Sequence, residues 1–338
     1  MNKESLYHIP DNEKAEIFRQ ASSITRLPAH AVEKDWWVVQ TLGMIFGLPE
    51  AEHLVFKGGT SLSKGWNLIE RFSEDIDLAI DRKYFGFDGA LTRNQIDKLR
   101  KTAGTFVDDQ FIALLQAKWR ERSFDKVVLE IEPGERSDRD RTILLHYPNV
   151  IASPGYLPPT IKIEFSCRSL MEPSSLRNFG ATVDEAFPTA SFVETPITVP
   201  VVNPERTMLE KIFLLHEEFQ KPTERIRTGD RLSRHLYDAA KLSTSEFAAK
   251  ALASPHLYQT IVVHRATFNT LSGVDYSRHA PATIQIIPPD AVLADWKKDY
   301  ATMMEEMIYE ENKPSFEDLM VTLNNLNKRI NALDWKLD

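Results

Sequence analysis

Cysteine is almost absent. Cys167 stands alone among 338 residues, so no internal disulfide can form and no cysteine cluster can hold zinc. A lone thiol suits a reducing compartment. Glycine is scarce too, 13 residues against a usual share of about 7%, which leans the chain toward helix. No apolar run approaches the roughly 18 residues that cross a bilayer. Residues 1–15 carry Glu4, Asp11 and Glu13 and show no signal-type apolar stretch. The expectation is a soluble, cytoplasmic protein with no membrane partner. An excess of positive charge is also missing. The formal net charge is −8, so nucleic acid cannot be held by bulk attraction and would need a local basic patch. The nine histidines never fall in H-E-x-x-H spacing.

What is present is an ordinary globular composition, 42% hydrophobic and 27% charged. The length exceeds one usual core and suggests two domains or subdomains. Residues 11–47 read as two helices, the first capped by Asp11, the second holding Val32, Trp36 and Trp37. The two tryptophans are read as packing these helices. Residues 54–56 read as a strand, 61–71 as a helix and 76–80 as the next strand. A long helical pattern spans 92–118. Strands follow at 127–131, 142–147 and 160–166, and another lies within 192–202, where Pro196 and Pro200 point to a sheet edge. From Pro204 onward the pattern is helical to the end. The fold class expected is α+β, with helices first, then a mixed-sheet core, then a helical domain. The boundaries are set at 1–50, 51–203 and 204–338.

The chemistry concentrates in one stretch. Lys57, Gly58, Gly59, Thr60, Ser61 and Ser63 follow the first strand, and Asp75 and Asp77 open the next. A Gly-Gly turn lets backbone approach a phosphate, a following helix offers free N–H groups, and the hydroxyls add donors. Asp75 and Asp77, two apart on a strand, share a face. Paired carboxylates suit magnesium, or manganese, together with phosphate oxygens. The run is no Walker loop, because Lys64 precedes Gly65. Taken singly, Gly-Gly is a turn and Asp-x-Asp a solvated strand face. The order of strand, Gly-Gly-Thr-Ser and Asp-x-Asp strand carries more than either part.

Residues 55–78, VFKGGTSLSKGWNLIERFSEDIDL, resemble the first motif of the AbiEii/AbiGii abortive-infection nucleotidyltransferases, toxins with a polymerase β-like core. A weaker resemblance runs from Val32 to about Leu242, and residues beyond it carry no match. The resemblance implies a Mg-dependent, NTP-using nucleotidyltransferase of a toxin–antitoxin or phage-defence system. It also implies an RNA acceptor such as a tRNA 3′ end, and a cognate antitoxin as partner.

It implies a third carboxylate on a neighbouring strand, and Glu164 fits, opposite the apolar Ile161, Ile163 and Phe165. The alternative is a surface pair with Lys162. Residues 203–212 resemble the family's lysine helix, with Lys211 at the edge of an apolar face formed by Met208, Leu209, Ile212 and Leu215. Lys211 either reaches a phosphate or snorkels. Residues 233–242 resemble the last motif. There Asp238 contacts Lys211 or the nucleotide, acts as a base, or pairs on the helix surface with Arg234 or Lys241. Arg225, Arg227, Arg231, Arg234 and His235 form the densest basic stretch, and Arg136, Arg139 and Arg141 a weaker one. Cys167 is read as a buried small hydrophobe. Two other functions stay open: nucleotidylation of a protein hydroxyl, and a non-catalytic, nucleotide-gated binding module.

Overall fold

A computed structural model describes residues 5–132, 140–152, 158–269 and 271–336. Arg136 and Arg139 lie outside them. The chain divides into two compact units, Met1–Gly65 with Phe72–Val202, and Trp66–Arg71 with Asn203–Asp338.

The first unit is built on one mixed sheet. Its strands are β1 (Leu54–Lys57), β2 (Ile76–Ile80), β3 (Val128–Ile131), β4 (Arg141–His146), β5 (Thr160–Ser166), β6 (Ser174–Phe179) and β7 (Ile197–Val202). They lie in the order β3-β4-β5-β2-β1-β7-β6. β2 runs antiparallel to β1 and parallel to β5. The alternation expected of residues 160–166 is seen: Ile161, Ile163 and Phe165 are buried, while Lys162 and Glu164 are exposed.

Helices α1 (Asp11–Thr25) and α2 (Ala29–Ile45) belong to this unit. Asp11 opens the first as its first helical residue, after Pro10, and is not its cap. Trp36 and Trp37 are buried, as read, and meet Phe124, Trp119 and Tyr147. α2 is buried almost throughout, including three successive charged residues, each with a partner of its own. Glu33 accepts from the Val150 and Ile151 amides. Lys34 Nζ donates to Glu74 at 3.0 Å, and Asp35 holds Lys64 at 2.9 Å. The motif segment is thus clamped at both ends from one helix.

Three expectations change. The helix expected over 61–71 is a short turn, α3 (Gly58–Thr60), continued by a wider one over Ser61–Gly65. Residues 66–71 leave it and belong to the second unit. β7 is not the edge despite Pro200. An unforeseen strand, β6, covers it, with Leu176 opposite the proline. The long pattern after Thr92 is α4 (Arg93–Phe106), a single wide turn (Val107–Phe111) and α5 (Ile112–Glu121). Thr92 and Gln95 cap α4 reciprocally. A short α6 (Thr182–Ala186) precedes β7.

The second unit is helical, with α7 (Pro204–Phe219), α8 (Arg234–Ser243), α9 (Glu246–Leu252), α10 (Pro255–Phe268), α11 (Asp290–Glu306) and α12 (Phe316–Asn331). Met208, Leu209, Ile212 and Leu215 of α7 are buried, the apolar face its periodicity gave.

Candidate active site

The turn after β1 is shaped by one conformational demand. Gly58 has φ +82°, a region costly for any residue with a Cβ. A Cβ there would also sit 1.8 Å from Asp77 Oδ2. Glycine is therefore required twice, by the backbone and by the carboxylate beside it.

Thr60 and Ser61, expected to offer hydroxyls to phosphate, are fully buried and face inward. Thr60 Oγ1 donates to the Asp75 carbonyl at 2.6 Å, and Ser61 Oγ donates to the Gly58 carbonyl at 2.9 Å. Their donor capacity goes into bracing the turn against Asp75. Gly59 and Ser63 are half-buried, and Ser63 Oγ makes a long 3.4 Å bond to the Thr60 carbonyl.

Sheet register then gathers the polar groups in a row. Lys57 pairs with Asp77, Asp77 with Glu164, and Glu164 with Thr142, across four adjacent strands. Asp75 lies two residues before Asp77, at the mouth of β2. Although Glu164 lies on the open face of β5, neighbouring protein crowds its carboxyl, which is pushed up to about 7, first by lost solvation and then by the Asp77 and Asp75 charges, with Lys57 opposing. Two carboxylates side by side resist ionising together, which is the condition a cation relieves. Lys162 does not neutralise Glu164 through an ion pair; its ammonium is bonded to Glu132 at 2.8 Å. A cavity of about 570 Å³ opens here, lined in part by Lys57, Asp77, Glu164, Arg100, Arg141 and Arg168.

The donor set is all oxygen, which suits a hard divalent ion. Among the described residues, no three ligating side chains converge on one point. Carboxylates that supply only part of a shell, completed by substrate phosphates and water, are the usual magnesium arrangement.

Lys211 and Asp238 are together in the second unit. Lys211 Nζ lies 2.7 Å from Asp238 Oδ2, and Arg71 grips the same carboxylate through Nε at 2.7 Å and Nη2 at 2.8 Å. Burial alone would raise the Asp238 pKa, but Arg71 first and Lys211 next hold it well below the carboxylate range. Both Asp238 oxygens accept from these two cations. Asp238 is not a helix-surface pair, since Lys241 goes to Glu310 instead. The Lys211 ammonium is lowered by burial, against the pull of Asp238. Arg71 was not foreseen. It sits in a stretch whose local pattern reads as helix, and only its partner identifies it.

In the basic stretch, Arg227 is bonded to Glu218 at 3.0 Å, and the Arg231 amide donates to Asp299. The Nδ1 of His235 is buried without a hydrogen-bond partner. In the weaker stretch, Arg141 is bonded to Asp108. Arg100 and Arg168, also unforeseen, join the cavity wall from distant points in sequence. The Cys167 thiol is buried and pushed up to about 12 by that burial, then by Asp140. It carries no thiolate near neutrality.

A family model described as "Nucleotidyl transferase AbiEii toxin, Type IV TA system" matches residues 45–322. The match starts after Val32, where the resemblance in sequence begins, and runs well past Leu242 into α12. In fold, the chain is similar to MenT4, a nucleotidyltransferase toxin from Mycobacterium tuberculosis. The TM-score is 0.52, over 95% of this chain and 90% of that one, at 15% identity. No curated protein matches. No described helix is long and apolar enough to cross a membrane.

Proposed function

Because the chain belongs to the AbiEii family of nucleotidyltransferase toxins of type IV toxin–antitoxin systems, we propose that it transfers a nucleotidyl group from an NTP to the 3′ end of an RNA, a tRNA in particular. The observation that carries this reading is the row Lys57–Asp77–Glu164, with Gly58 making room for the Asp77 carboxylate.

Asp75, Asp77 and Glu164 would hold magnesium, or manganese. When bound, the ion supplies charge neutralisation at the phosphates and at the attacking and leaving oxygens. The turn from Lys57 to Ser63 seats the triphosphate through the backbone at Gly58 and Gly59 and the hydroxyl of Ser63. Thr60 and Ser61 keep that turn in shape. Lys57 adds positive charge beside the carboxylates. Lys211 keeps the role the family resemblance gives it, neutralising triphosphate charge, and Asp238 acts through Lys211 and Arg71 as a positioning residue. The acceptor hydroxyl oxygen bonds to the α-phosphorus, its proton leaves to the carboxylate cluster, and the bond to the β-phosphate breaks to release pyrophosphate. In the cell the protein acts in the cytoplasm, in abortive infection, and is held in check by a cognate antitoxin.

The test is transfer from each α-³²P-labelled nucleotide, separately, to total bacterial RNA with magnesium. Wild type and Asp75→Ala run in parallel. Label on a tRNA-sized band with wild type alone is the expected result. Label that a protease removes would move the acceptor to a protein, and label transferred equally by Asp75→Ala would end the metal-site assignment.

A further inference from the structure

The cavity beside Asp77 and Glu164 has a second wall that the motif does not explain. α4 presents Arg100 and Gly104 at the i, i+4 spacing that places them on one helix face. The Arg141 guanidinium lies against that face, its Cζ 3.4 Å from where a Gly104 Cβ would stand. Arg141 is fixed by Asp108 at 2.9 Å, and Arg168 by Asp140 at 2.6 Å. Arg100 differs from both. Its nearest acidic contact is Asp97, at 3.8 Å, and its Nε is buried without a hydrogen-bond partner. A buried guanidinium N–H with no acceptor is costly, and the partly exposed Arg100 side chain lines a cavity large enough for a ligand group. Among the three guanidiniums, Arg141 and Arg168 are hydrogen-bonded to carboxylates, whereas Arg100 has only the longer contact to Asp97.

Position says which anion it serves. The Gly-Gly turn leaves β1, on one side of Asp77. Arg141 opens β4 and Arg168 follows β5, on the other side of Asp77 in the sheet order. In-line displacement sets the attacking oxygen and the leaving pyrophosphate on opposite sides of the phosphorus. With the triphosphate at the turn, the attacking strand enters from the β5–β4 side. We propose that Arg100, with Arg168 and Arg141 beside it, binds backbone phosphates of the acceptor RNA strand. This rests on the nucleotidyl-transfer reading above. Guanidiniums suit the task, since a fork of N–H donors matches phosphate oxygens. The acidic whole then needs no broad basic surface, because the contact is local.

The test is steady-state transfer by the full chain, with tRNA and nucleotide varied in turn, for wild type, Arg100→Ala and Arg100→Lys. Direct binding of a labelled single-stranded RNA is measured across salt concentrations. Arg100→Ala should raise KM for RNA about tenfold, leave KM for nucleotide in place, and lower the salt slope of RNA binding by about 0.7. Arg100→Lys should recover part of the RNA KM. Should Arg100→Ala fail to fold, Arg100→Gln, which keeps the side-chain bulk, is read by the same criteria. A rise in nucleotide KM instead, or no change in either, overturns the proposal. A wild type that labels no RNA overturns the functional reading and this one with it. An active wild type whose RNA KM is unmoved by Arg100→Ala overturns this one alone.

Discussion

At the scale of single residues, Gly58 and Glu164 carry the sharpest consequences. Gly58→Ala would place a methyl group 1.8 Å from Asp77 Oδ2 and force alanine into φ +82°. The backbone demand costs about 1–2 kcal/mol, read as a lower urea midpoint, and displacement of Asp77 should abolish transfer. A variant of normal activity would refute the close approach. Glu164 gives a pH prediction. Its folded pKa, about 7, lies above its ordinary 4.5 because of lost solvation and the Asp77 and Asp75 charges. The folded protein therefore binds this proton more tightly than the unfolded chain does. That contribution is complete below about pH 4.5 and lost as the pH rises to about 7. Glu164→Gln should flatten this segment of the stability profile, measured by urea unfolding in EDTA at about pH 5 and about pH 8. Identical slopes for both proteins would remove carboxylate crowding as the cause. Both residues were legible in the sequence, since a Gly-Gly turn and an alternating strand are local patterns. Arg100 and Arg168 were not, because nothing local links a helix residue to the end of β5.

At the scale of elements, the local signal held where neighbours along the chain decide the structure. β5 and α7 fall on the residues their periodicity gave. It failed at residues 66–71, which read as helix but bond elsewhere. Trp66 packs on Phe247, the Glu70 amide reaches the Tyr237 hydroxyl, and Arg71 grips Asp238. Tertiary partners of this kind override a propensity worth a few tenths of a kcal/mol per residue. β6 was missed for a different reason: Ser174–Phe179 is polar and its Leu176 is exposed, so no alternation marks it. The element-scale prediction concerns Asp238→Asn. It leaves Arg71 and Lys211 buried without their carboxylate and should cost about 3–5 kcal/mol, seen as a fall in the urea midpoint. A loss below about 1 kcal/mol, the worth of a surface pair, would mean the triad is solvated.

At the scale of the whole molecule, a boundary in sequence is not a boundary in space. The second unit takes Trp66–Arg71 from inside the span of the first. A fragment of residues 203–338 lacks Arg71 and the Trp66 contact, so it should melt without a cooperative transition by circular dichroism. A sharp transition in that fragment would show that the six residues are dispensable.

The same crossing bears on the order of synthesis. Arg71 leaves the ribosome 167 residues ahead of Asp238, an interval of roughly 8–33 seconds at about 5–20 residues per second. Through that interval the nascent chain holds a guanidinium whose anion has not been made. A chain assembled in this order keeps this buried triad unfinished until translation has entered its final third.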